Sequence, residues 1–138
     1  MSAEASLHAF CRVQPIMHNR TSEIMNYTIY TPSASKLKEE ILVSVAAKAD
    51  ANGRGIATWQ CVEIDAGDRV LVHTTDQWAE KGCIAIKQEP GHNILRIRFC
   101  YWDSCEDTSN DDDKYMFGRF TELILMHFSY YIDKIIIE

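Results

Sequence analysis

Ile94-Leu95-Arg96-Ile97-Arg98-Phe99-Cys100-Tyr101-Trp102 alternates more cleanly than any other strand-like run of the chain. Successive side chains of an extended chain point to opposite faces. Leu95, Ile97, Phe99 and Tyr101 therefore fall on one side, and Arg96, Arg98, Cys100 and Trp102 on the other. One side packs on a core and the other meets water or a partner. Upstream come three more strand-like runs at short intervals, residues 56–64, 69–75 and 83–89. Asp65-Ala66-Gly67-Asp68 and Pro90-Gly91-His92-Asn93 have the residues of hairpin loops. The middle connection, residues 76–82, is longer and contains Trp78. A parallel crossover needs a dozen or so residues, so the four runs form an antiparallel meander.

Outward from this meander the pattern alternates between strand and helix. Residues 5–14 place Leu7, Ala9, Cys11 and Val13 on one side of an extended run, which Pro15 ends because proline cannot donate to a ladder. Residues 24–30, rich in aromatic and β-branched side chains, form a second strand. Thr31 can cap a helix whose first position suits Pro32. Leu37, Ile41, Leu42, Val45 and Ala49 share one arc of that helix. Asn52-Gly53 supplies the left-handed residue that ends it, giving a helix over residues 32–51. On the other side of the meander, Met116, Phe117, Phe120, Leu123, Ile124, Leu125 and Phe128 define a second apolar band. It predicts a helix over residues 114–129, with Asp112 or Asp113 as its N-cap. Gly118 weakens that helix by up to about 1 kcal/mol relative to alanine. The isoleucine-rich residues 131–138 read as a final strand.

The expected order is β-β-α-β-β-β-β-α-β. That is an α+β fold, an antiparallel sheet of about six or seven strands with two helices packed on one face. The 138 residues fit a single domain over residues 1–138, carrying an acidic loop at residues 103–113. Hydrophobic residues make up 46% and charged residues 25%, which excludes a mostly disordered chain, a collagen-like repeat and a disulfide miniprotein.

Charge placement says more than total charge. Acidic residues number 20 and basic residues 14, for a net charge of −6. Asp103, Glu106, Asp107, Asp111, Asp112 and Asp113 lie in one stretch without a Lys or Arg, and the other residues hold equal numbers of acids and bases. One segment supplies the whole excess. It repels phosphates and attracts a basic partner, so direct nucleic-acid binding is not expected. The first fifteen residues lack a basic start followed by an apolar run, and no apolar stretch reaches 18 residues. The five cysteines are an odd set without framework spacing and read as reduced thiols of a cytoplasmic protein.

Motifs with defined chemistry are sparse. A calcium loop started at Asp107 has Asp112 where glycine is needed and Gly118 where glutamate is needed. One started at Asp103 has Cys105 and Lys114 at required ligand positions. Cys100 and Cys105 stand at the wide end of zinc-finger spacing, and no second close pair accompanies them. Neither a metal nor a cofactor is expected. Cys61 and His73, on adjacent strands with Asp76 or Glu63 as orienter, are the first candidates for nucleophilic chemistry. Gly53-Arg54-Gly55 ends a helix and precedes a strand, the reverse of phosphate-cradling order. Arg96, Arg98 and Trp102, with Lys87 across from them, are weighed as a single-strand nucleic-acid surface against the acidic segment that follows.

The residues favour a non-enzymatic acidic binding protein, an inhibitor or immunity-type (antitoxin-like) protein that docks on a basic, nucleic-acid-processing or toxin protein. Asp103, Glu106, Asp107, Asp111, Asp112 and Asp113 would meet the partner, with Trp102 or Tyr101 as aromatic anchor. The alternative is a small-ligand domain or modest enzyme with a pocket between sheet and helices. A third expectation is a homodimer built through the C-terminal strand, residues 131–137.

Overall fold

Residues 25–64, 67–106, 108–109 and 111–138 are described by the computed structural model, and the strand expected over residues 5–14 lies outside them. In chain order the elements are β1 (Tyr27–Tyr30), α1 (Ala34–Ala47), β2 (Trp59–Glu63), β3 (Arg69–His73), a short α2 (Asp76–Ala79), β4 (Gly82–Gln88), β5 (Ile94–Tyr101), α3 (Asp112–His127), a 3-10 turn (Ser129–Tyr131) and β6 (Lys134–Ile137). The described strands form one sheet in the order β2-β3-β4-β5-β1-β6, and every pairing is antiparallel. The meander is therefore present, and the fold is α+β. β1 enters the sheet between β5 and β6, which makes β6 the outermost described strand on that side.

The alternation of β5 sets the layers. Leu95, Ile97, Phe99 and Tyr101 face a core shared with Leu37, Ile41 and Val45 of α1 and Met116, Phe120 and Ile124 of α3. Both long helices thus bury most of their apolar arcs in the same cluster, although Leu125, expected in the band of α3, is 55% exposed. Burying side chains of this size stabilises by roughly 1.5–3 kcal/mol each, which outweighs the modest helix propensity of a segment containing Gly118. The opposite sheet face is divided. Arg96 and Arg98 are exposed there, whereas Cys100 and Trp102, further along, are buried.

Helix ends differ from expectation for local reasons. Ser33, not Thr31, caps α1, its Oγ accepting the Lys36 N–H at 3.4 Å. The Thr31 hydroxyl donates instead to the Tyr131 carbonyl at 2.7 Å, joining β1 to the 3-10 turn. Lys48 (φ 66°) is the left-handed residue that ends α1, ahead of Asn52-Gly53. The helix stops there because Asp50 organises the following turn, Oδ1 accepting the N–H groups of Asn52 and Arg54 at 2.9 Å each. The middle connection holds α2, whose Trp78 stacks on Tyr115 at 4.5 Å. No helix of the described residues is long and apolar enough to cross a membrane.

Candidate functional site

The acidic segment joins β5 to α3 at the end of the sheet where β4 begins. The Trp102 N–H donates to the Lys81 carbonyl (2.9 Å) and its indole Nε1 to the Ala79 carbonyl (2.7 Å), which brings α2 beside the segment. Exposed carboxylates from both parts therefore share one end of the molecule: Asp76 of α2 and Glu80 just after it, and Asp103, Glu106 and Asp111 from the loop. Asp107 lies outside the described residues.

The other acidic residues turn inward. Asp112 is buried, and Lys81 Nζ reaches its two carboxylate oxygens at 3.2 and 3.1 Å. The Tyr101 hydroxyl (2.7 Å) and the Ser109 N–H (2.9 Å) donate to Oδ2 of the same carboxylate. The side chains of Lys81 and Asp112 are only 11% and 5% exposed, so this is an internal tie holding the loop to the sheet. Asp113 is also buried, with Oδ1 accepting the Lys114 N–H at 2.8 Å. Trp102 and Tyr101 lie inside, so neither offers an aromatic surface to a partner. Sequence spacing could not separate these roles: Lys81 lies 31 residues before Asp112, and no local pattern links them.

Cys61 and His73 share the helix-facing side of the sheet, but the register sets Cys61 opposite Leu71 and His73 opposite Trp59. His73 is committed elsewhere, its Nδ1 lying 2.9 Å from the Thr75 hydroxyl and its ring edge-on to Trp59 at 5.1 Å. Burial lowers its pKa, which favours the neutral ring. Burial pushes the Cys61 thiol up, against the pull of Arg69, which lowers the thiolate fraction that nucleophilic attack requires. The pair has the elements of a nucleophile and base without the contact between them. Among the described residues no group of three metal-ligating side chains comes together.

A second polar constellation had no sequence signal. His127, at the end of α3, donates from Nδ1 to Asp50 Oδ2 at 2.7 Å across 77 residues, and both side chains are almost wholly buried. The His127 hydrogen bond, helped by the N–H groups of Arg54 and Asn52, lowers the Asp50 carboxyl despite burial. With Asp50 as acceptor, Nδ1 carries a proton toward the carboxylate and the ring is held in one orientation. His127 lines a cavity of 260 Å³ with Glu40, Asn52, Phe128, Tyr130 and Tyr131, between the end of α3 and the turn after α1. A second cleft, of 380 Å³, opens where β3 and β4 part and is lined by Lys38, Arg69 and Lys87.

Comparison with protein-family models, with curated proteins and with solved structures finds no match, so the functional argument rests on this chain's own residues.

Proposed function

We propose that this is a non-enzymatic binding protein of the cytoplasm that docks on a basic protein through its acidic end, in the manner of an inhibitor or immunity protein. The observation that supports this reading is the one-sided charge of that end among the described residues. Asp76, Glu80, Asp103, Glu106 and Asp111 are exposed there, while the neighbouring lysines already face carboxylates, Lys81 on Asp112 and Lys114 on Asp111 at 3.6 Å. A partner whose Lys and Arg normally hold phosphates would find the same charge pattern on this surface. Asp103, Glu106, Asp107 and Asp111 would occupy its cleft and exclude the natural polyanion. Such complementarity raises the encounter rate and weakens with salt. Asp112 and Asp113 act indirectly, by fixing the loop that presents the others. The test compares wild type with the Asp103→Asn, Glu106→Gln, Asp107→Asn, Asp111→Asn variant as bait. Basic proteins held by the wild type at low salt should be missing from the variant, and equal retention on both baits would reject the reading.

A second reading rests on the 260 Å³ cavity, where the ring of His127, oriented by the Asp50 carboxylate, lines the wall that a small ligand would meet. Its test is a small-molecule panel read by the ring-proton shifts of His127. Saturable shifts that vanish in Tyr131→Ala would favour it, and an unmoved ring would remove it. Within the same proposal, β6, joined only to β1 among the described strands, is the edge at which a second copy would add.

A further inference from the structure

The sheet face turned away from α1 and α3 carries a second apolar cluster that includes Val62, Val70, Val72, Cys83, Cys100 and Trp102. Val72, Cys83 and Cys100 have no exposed surface at all. Side chains on a sheet face reach that state only beneath a cover, since a bare face leaves its central residues open to water. Among the described residues, the partly buried apolar neighbours of this cluster are Ala79 and Ala85. Two methyl groups do not cover four strands. The buried apolar side chains of α1 and α3 all belong to the other cluster.

We propose that residues 1–24 of this chain are the cover, laying the apolar side of the alternating run, Leu7, Ala9, Cys11 and Val13, on that half of the sheet. Where the described chain begins supports this. β1 runs antiparallel to β5, with Tyr27 opposite Ile97, and Asn26 exchanges two hydrogen bonds with Glu138 at 2.8 and 2.9 Å. The chain before Asn26 therefore enters at the end of the sheet where Cys100 and Trp102 lie. From β1 to β2 is four strand spacings, which roughly six extended residues span at about 3.3 Å each and about 4.8 Å between strands. Residues 15–24 suffice for that path and leave residues 5–14 for the contact. The surface under them changes character at the right place. Along β5 the outward side chains pass from exposed Arg96 and Arg98 to buried Cys100 and Trp102, and on β4 from exposed Lys87 to buried Cys83. An apolar side of four residues matches the apolar half, and the cationic half stays open.

The experiment places a benzophenone photo-cross-linker at position 9 of the full chain and maps the products in a mixture of light and heavy isotope-labelled protein. The expected products join position 9 to peptides containing Val62, Val72, Cys83 or Cys100 within one chain. Products on α1 or α3, products between chains, or no product overturn the proposal. A second measurement follows alkylation of each cysteine. Leu7→Asp with Val13→Asp should speed labelling of Cys83 and Cys100 by at least about tenfold, because removing the cover opens that face locally. Cys61, on the other cluster, should keep its rate, and so should all sites in Ser6→Asp with Gln14→Asp, which alters the opposite side of the run. Unchanged Cys83 and Cys100 overturn the proposal. If every cysteine accelerates together the variant has unfolded, and the cross-link map of the folded chain then decides.

Discussion

Lys81 and Asp112 show how a charge read as surface can be interior. Asp112 accepts from an ammonium, a phenol and a backbone N–H, so its carboxylate is fully served away from water. Lys81→Met leaves that carboxylate buried without its cation and should cost roughly 3–5 kcal/mol of unfolding free energy. Adding Asp112→Asn to Lys81→Met should restore part of the loss, because the amide oxygen still accepts from Ser109 and carries no charge. Urea denaturation of the single and double variants measures this, and strictly additive losses would contradict the tie. Asp50 gives a pH signature. Its carboxyl lies below its ordinary value near 3.8 in the folded chain, chiefly because His127 donates to it. A lowered folded value means the stabilisation is present above about pH 4 and is lost as pH falls through the folded pKa. Asp50→Asn should flatten the acid limb of the stability curve below about pH 4, and an unchanged limb would remove this assignment. Neither pair was legible in the sequence. Asp112 sits in a row of acids that spacing alone reads as solvated, and His127 falls within an apolar band with no local sign of its partner.

At the scale of elements, two glycines predict opposite signs. At Gly82 a Cβ would lie 2.1 Å from the Cys100 carbonyl oxygen, so β4 and β5 would have to part. Gly82→Ala should destabilise by roughly 1–3 kcal/mol or more. At Gly118, exposed on α3, a Cβ would have nothing within 4 Å. Gly118→Ala should stabilise by about 0.5–1 kcal/mol through helix propensity. Thermal melts of the two variants moving in the same direction would contradict the packing described for β4 and α3. The sequence made the meander legible because the loops around Gly67 and Gly91 are short and the alternation of β5 is unbroken. It also located both long helices, whose arcs are wide, but α3 starts at Asp112, so the expected caps Asp112 and Asp113 lie in its first turn and Asp111 takes the cap position. It missed α2, since four residues around Trp78 are too few to show a helical period. It could not place β1 between β5 and β6, because that pairing joins segments far apart in the chain and leaves no local trace.

Over the whole molecule, charge and burial divide the surface. The acidic end gathers exposed carboxylates from α2 and the β5–α3 loop, and the outward sheet face is cationic around Lys87, Arg96 and Arg98. Lys87 and Arg96 stand directly opposite each other, and the Arg96 Nε is held by Glu89 at 2.7 Å. The charge excess of the acidic segment was legible from composition, but its outward share was not. Asp112 and Asp113 face inward, while Asp76 and Glu80 join the patch from a different part of the chain. Affinity for a basic partner should therefore follow the exposed set alone, and Glu80→Gln should weaken binding and its salt dependence more than Asp113→Asn does in any variant that stays folded. The most direct measurement is quantitative capture of basic proteins by wild type and by the Asp103→Asn, Glu106→Gln, Asp107→Asn, Asp111→Asn variant, each at low and at high salt. A basic partner should be retained by wild type at low salt, released at high salt and absent from the variant. The same proteins on both baits, at either salt, would contradict that expectation.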